Sequence, residues 1–400
     1  MNIKIYNNKF NFKLNQLVEI GKRSNNSKRN FLFISKLLGK HICVRPDTCK
    51  AAGHLLASMK FPELYSNDII NYLKGEEINI SSILNKTTEP ANKILVIGFA
   101  ETATGLGMAV ASKLKGCIYQ TTTREPITGL ENILNFEEEH SHATTHKIYS
   151  ILDYNFNDFD EIILVDDEIT TGNSMLNLIK KISEMCNVKH FNVLTILDWR
   201  SEAQINKYKD FCTKENLVIN VYSVLSGNIE NKDQTVYQDE TEVKVLNKTI
   251  TPQKMESDFA KVDIETENGV ISYLKNSGRF GVKQHHIENI ERHAMDYANQ
   301  INNMISPDCR VLVLGHGENI YIPSRIASYI NAKVEFRTTT RSPILCDGKI
   351  INSKNVFFDN GVKYFFYNKE DIESMYDFVF LIAETPFNIE LANNMVILEV

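Results

Sequence analysis

Two adjacent carboxylates, Asp166 and Asp167, stand at the end of the apolar run Ile162–Val165. Thr170, Thr171, Gly172, Asn173 and Ser174 follow, and a helical pattern then begins. Carboxylates accept hydrogen bonds from sugar hydroxyls. The free backbone N–H groups at a helix start, flanked by hydroxyls and a glycine that permits close approach, make a cradle for an anion. A ribose 5-phosphate presents both kinds of group. Capping the helix would need only one such residue. The stretch contains neither the G-K-[ST] of a Walker loop nor a G-x-G-x-x-G dinucleotide turn.

Four other stretches could do chemistry. In GFAETATGLG (98–107), the small residues Ala100, Thr102, Ala103, Thr104 and Gly105 would let backbone amides approach an anion. A tight strand-to-helix turn would read the same way. Arg124, in TTTREPI (121–127), is either a cation aimed at that anion or a surface arginine at a strand end. FEEEHSHATTH (136–146) gathers Glu137, Glu138, Glu139, His140, His142 and His146. Three readings are open for this cluster: a lid over a site, a solvated acidic loop, or a transition-metal site built on His-x-His. Lys36, Lys40 and His41 surround Gly39 in FLFISKLLGKHICVRP (31–46), which is an ordinary basic turn or a cationic hood over a ligand.

The elements that must position these residues read as an α/β fold with a largely parallel sheet. The expected strands are Phe31–Ile34, Ile94–Ile97, Ile118–Thr122, Ile162–Val165 and Asn192–Leu197, with helices at Leu106–Leu114 and Ser174–Cys186. In the second helix Met175, Leu178, Ile179, Ile182 and Cys186 share one face. Parallel strands end at a common edge where ligands bind, which puts Asp166 and Asp167 at such an edge. The polar stretch 226–262 reads as a linker between a domain over 20–225 and a second over 263–400. The second domain has expected strands Val311–Leu314, Val334–Thr338, Val356–Phe358 and Phe378–Ile382.

The two domains look like copies. Residues 94–127 align without a gap on 311–344, an offset of 217, with 10 of 34 positions identical. The same offset pairs Phe159-Asp160 with Tyr376-Asp377, so the second domain reads as a smaller, degenerate repeat of the first. Ala383 to Phe387 stand where the first copy has Asp166 to Thr170, so the second copy lacks both acid pair and cradle and is expected not to bind the same ligand in the same way.

A net charge of -6 argues against nucleic acid and anionic membranes as partners. No run of about 18 apolar residues predicts a membrane span. Seven scattered cysteines without a C-x-x-C pair point to reduced thiols in a cytoplasmic protein.

VDDEITTGNS, with the other stretches in this order, resembles the type I phosphoribosyltransferases. SKLLGKH, GFAETATGLG, TTTREPI, FEEEHSH and a later TTTRSPI together resemble the bacterial branch with a C-terminal TRSP domain, found in tellurium-resistance-associated gene clusters. The resemblance implies a sheet flanked by helices, transfer of ribose 5-phosphate from phosphoribosyl pyrophosphate (PRPP) to a nitrogenous base, release of pyrophosphate, and a nucleoside-like product. It implies Mg²⁺ at Asp166 and Asp167, with both carboxylates on the ribose hydroxyls and Thr170 to Ser174 on the 5-phosphate. Ala100, Glu101, Thr102, Ala103, Thr104, Gly105 and Arg124 would face pyrophosphate. His140 and His142 would belong to a closing lid, and Lys36, Lys40 and His41 to the base side. Arg341 of TTTRSPI would keep an anion or substrate contact, and a homodimer is expected. Some proteins of this fold sense nucleotides without catalysis, which is the rival reading.

Overall fold

The computed structural model describes all residues except 1, 24–28, 138–144, 232–234, 240, 242 and 268. Its largest sheet has seven strands, in the order Asn2–Asn7, Val218–Glu230, His190–Asp198, Glu161–Ile169, Ile94–Gly98, Ile118–Thr121 and Val282–Lys283. The five inner strands run parallel to one another. Both edge strands are antiparallel. ILVI and IILV are buried throughout, as strands covered by helices on both faces require.

Two helices, Thr48–Lys60 and Ala103–Ala111, pack together closely. A Cβ built on Gly53 would lie 2.3 Å from the Cβ of Ala109. The helix Asn173–Met185 buries Met175, Leu178, Ile179 and Ile182, the expected face, while Cys186 is its C-cap.

The second unit has a five-stranded sheet in the order Gln253–Lys254, Met395–Glu399, Phe378–Ile382, Arg310–Gly315 and Lys333–Thr338. The repeat extends well beyond the aligned sequence. Each unit runs through an N-terminal hairpin, a long helix, a strand, a helix, a strand, a second hairpin and a further strand. Bonds recur at matching positions. The Ala100 N–H donates to Thr122 Oγ1 at 2.8 Å, and the Gly317 N–H to Thr339 Oγ1 at 3.1 Å. The Ile127 N–H reaches the Tyr149 hydroxyl at 3.1 Å, and the Ile344 N–H that of Tyr367 at 2.8 Å. Asp160 and Asp377 accept, each at 2.8 Å, from the N–H groups of Lys93 and Arg310. The copies part after their last matching strand: residues 383–394 form turns where the first unit continues into Asn173–Met185.

The stretch expected as a linker contributes short segments to the sheets. Residues 226–230 finish the strand Val218–Glu230, which pairs with Asn2–Asn7. Lys244–Val245 and Gln253–Lys254 add short parallel strands to sheets of the second unit. Two-residue strands carry too little periodicity to be read from a polar sequence.

The units also exchange segments. Val282–Lys283 of the second pairs with Ile118–Tyr119 of the first, while Val44 of the first pairs with Phe336 of the second. The Thr121 N–H donates to the Gly278 carbonyl at 3.0 Å, and the Thr338 N–H to that of Gly39 at 2.7 Å. Val282–Lys283 is thus the far edge of the first unit's sheet.

The Gly53 contact gives a stability prediction. Gly53→Ala forces apart the helices Thr48–Lys60 and Ala103–Ala111, and is expected to cost about 1–3 kcal/mol. Urea unfolding would read this as a lower midpoint at unchanged slope.

Candidate active site

A cavity of about 710 Å³ opens at the carboxyl ends of the parallel strands, and Asp166 and Asp167 line it. The strand that carries them continues through Ile169, so the acid pair lies within Glu161–Ile169 and not after it. Both residues are half-buried, and the Asp167 N–H donates to Asp166 Oδ1 at 2.9 Å.

The following turn faces the same cavity. Thr170, Thr171, Gly172 and Ser174 line it. Asn173 does not; its Oδ1 accepts from Lys207 Nζ at 2.7 Å. Gly172 caps the helix with φ of 77°, a left-handed conformation that costs glycine little. A Cβ there would also lie 2.5 Å from the Tyr208 hydroxyl, which donates to the Gly172 carbonyl at 2.7 Å. This bond fixes the turn with its N–H groups at the start of a 13-residue helix.

From the neighbouring strand ends Ala100, Glu101, Thr102 and Arg124 line the same cavity. Ala103, Thr104 and Gly105 sit behind them in the first turn of Ala103–Ala111 and do not line the cavity. The Glu101 side chain is buried. Lys40 Nζ lies 3.4 Å from its Oε2, and the Arg341 N–H donates to its Oε1 at 3.0 Å. Burial raises this carboxyl, but Lys40, Arg124 and hydrogen bonds outweigh it and hold the group below its usual range. The charge is therefore balanced by protein groups. Arg124 Nε donates to His146 Nε2 at 3.3 Å, and His146 Nδ1 lies 2.9 Å from Thr122 Oγ1.

The hood is divided. Lys40 and His41 line the cavity, with Lys40 Nζ donating to Thr102 Oγ1 at 2.9 Å. Lys36 lies elsewhere, paired with Glu19 at 2.5 Å. His41 is 3 % exposed, and burial pushes its pKa well below the usual value, aided by Lys40 and Arg337. His140 and His142, with Glu138 and Glu139, lie outside the described residues; His146 lines the cavity. Arg341 meets the site through its backbone contact to Glu101, and the neighbouring Ser342 lines the cavity.

Several lining residues escape the sequence reading. Arg29 pairs with Glu168 at 2.6 Å across 139 residues of chain. Burial raises the Glu168 carboxyl, with Arg29 opposing. Trp199 stacks on Phe33 with centroids 5.2 Å apart and planes at 22°, which forms an aromatic wall. Being the one tryptophan of the chain was its only signal. Ser342 had a better one, since it is Glu125 carried across the 217-residue offset.

The donor set suits a hard divalent cation. Asp166 and Asp167 offer carboxylate oxygens, the hard donors such an ion takes, to the cavity.

The sequence profile of the family described as phosphoribosyl transferase matches residues 17–228, and that of the TRSP domain C-terminal to it matches 276–398. Comparison with the curated proteins finds no match. Among solved structures, adenine phosphoribosyltransferase from Rhodothermus marinus is 13% identical, covering 53% of this chain and 96% of its own, with a TM-score of 0.27. The adenine enzyme from Trypanosoma brucei, in complex with AMP, pyrophosphate and ribose-5-phosphate, is 11% identical over 51% of this chain and 75% of its own, with a TM-score of 0.29. A hypoxanthine phosphoribosyltransferase from Staphylococcus aureus is 9% identical over 41% and 69%, with a TM-score of 0.24.

The burial of His41 gives a pH prediction. Its folded pKa lies below its unfolded one, so the unfolded chain binds the extra proton. Stability from this group is complete above about pH 6.5 and is lost as pH falls below that value. The same sign holds for His54, which burial lowers to about 4. NMR should find the His41 ring neutral from pH 8 to 6; a midpoint near its ordinary value would contradict the assigned environment.

Proposed function

The chain belongs to the phosphoribosyl transferase family, and from that premise we propose that it transfers ribose 5-phosphate from PRPP to a nitrogenous base, with release of pyrophosphate. The observation that carries this reading is that Asp166, Asp167, Lys40 and Arg124 line one cavity together with the turn held by Gly172.

In this reading the two carboxylates accept from the ribose hydroxyls. They stabilise positive charge that grows on the ring as the C1–O bond to pyrophosphate breaks. Charged groups preorganised where charge develops need no rearrangement during the reaction. Thr170, Thr171, Gly172 and Ser174 hold the 5-phosphate, with Asn173 contributing its backbone at the helix start. Ala100, Glu101 and Thr102 offer backbone to the departing pyrophosphate, while Arg124 and Lys40 offer charge; the buried Glu101 carboxylate braces the turn. Ala103, Thr104 and Gly105 support it from behind. Mg²⁺, held by Asp166 and Asp167, would neutralise part of the diphosphate charge. Neutral His41 lies on the side assigned to the base. The aromatic wall of Phe33 and Trp199 supports a flat heterocyclic acceptor.

A nitrogen of that acceptor attacks C1, and the product is a nucleotide. We take it as a precursor of the nucleoside-like metabolite that the tellurium-resistance resemblance implies. Seven cysteines, all free, support a cytoplasmic setting. No described helix is long and apolar enough to cross a membrane.

The test is turnover of PRPP with a panel of purine, pyrimidine and other nitrogen bases. Asp166→Asn/Asp167→Asn is expected to lower pyrophosphate release at least about 100-fold. Equal turnover by the double variant would remove both carboxylates from the mechanism. PRPP binding without pyrophosphate release for any base would favour the non-catalytic reading.

A further inference from the structure

The two units meet through a reciprocal pair of carboxylates. Glu101 and Glu318 occupy matching positions at the offset of 217, as do Arg124 and Arg341. Glu101 of the first unit accepts from the Arg341 N–H of the second at 3.0 Å. Glu318 of the second accepts from Thr123 Oγ1 at 2.9 Å and from the Arg124 N–H at 3.4 Å. The Glu318 carbonyl also accepts from Thr104 Oγ1 at 2.7 Å. The exchanged segments repeat the symmetry: Lys40 follows Gly39 and lies against Glu101, while Arg279 follows Gly278 and donates to Glu318 Oε2 at 2.8 Å.

These contacts divide the cavity mechanically. The 98–105 turn, the 121–124 turn and the segment bearing Lys40 and His41 are each bonded to the second unit. The 170–174 turn is instead bonded to Tyr208 and Lys207 of its own unit. One half of the cavity is held from across the interface and the other from within.

The second unit's matching cavity, about 370 Å³, is arranged differently. Glu384 stands where Asp167 stands in the first unit, and it takes Arg279 through Nε at 3.0 Å and Nη2 at 2.7 Å. Both its oxygens are engaged by one guanidinium, so this carboxylate is committed to Arg279, whose Nη1 donates to Thr123 Oγ1 of the first unit at 2.6 Å.

We propose that the C-terminal unit is a built-in second subunit, with Glu318 as a positioning residue for the pyrophosphate half of the transferase cavity. It acts through Thr104, Thr123 and Arg124 and never touches the reacting atoms. Ser342 lines the cavity from the same unit. A homodimer is then not needed to build the site. The proposal rests on the transferase reading for the identity of the ligand, but not for the mechanical division itself.

The test uses the full chain and the variants Glu318→Ala and Glu318→Gln, with thermal denaturation to verify folding. Calorimetry with inorganic pyrophosphate and Mg²⁺, and separately with ribose 5-phosphate, reads the two halves. Glu318→Ala should weaken pyrophosphate about tenfold, as loss of a buried charged acceptor implies, and leave ribose 5-phosphate within about twofold. Glu318→Gln keeps the shape and should shift affinity in the same direction by less, so it serves if the alanine variant does not fold. Hydrogen exchange without ligand should quicken at 99–105 and 122–125 but not at 170–174. Equal weakening of both ligands, unchanged pyrophosphate affinity, or uniform exchange overturns the proposal. If the unaltered chain binds neither ligand, the transferase reading fails, and the exchange pattern alone decides whether the division is real.

Discussion

The change at Val165–Asp166 is the constraint on which the site depends. Up to Val165 the strand is buried on both faces and must be apolar. One residue later the covering helices no longer shield it, and carboxylates become affordable because water or a ligand reaches them. On the neighbouring strand burial runs on to Asp198, the partner of Ile169, where the Asp198–Arg200 ion pair sits, and Gly98 ends its own strand just before the 99–102 turn. Polar chemistry collects there because the parallel arrangement ends the strands together.

A second constraint is the closeness of the two units. Small residues at the strand-to-helix turn have two separate purposes. Ala100 and Thr102 line the cavity, whereas Gly105 lies against Ile320, where an added Cβ would come within 2.5 Å of Cγ2. A buried carboxylate in this turn looks out of place until its partners are counted. Glu101 takes Lys40 on one side and an N–H from the second unit on the other, so its charge is consumed inside the protein. The same logic explains the second cavity, where carboxylates converge on Arg279.

Divergence between the copies follows the same lines. What both retain is the bracing of the turns by the TTT hydroxyls and by the tyrosine after the TTTR segment, and the glutamate that reaches into the other unit. What the second lacks is the acid pair and the helix behind the hydroxyl-rich turn.

The sequence alone determined what is local. Apolar runs ending in polar turns located the strands Ile94–Gly98 and Glu161–Ile169. Helical spacing located the buried face of Asn173–Met185, and a gapless offset exposed the repeat. In each case one stretch of chain contains the whole physical cause. Tertiary structure decided what depends on distant partners: Arg29 clasping Glu168, Trp199 on Phe33, Lys36 turning away to Glu19, and short strands absorbed from a polar stretch. It also decided that Glu101 and Glu318 answer one another, because a buried charge is defined by which neighbours arrive and not by its place in the chain.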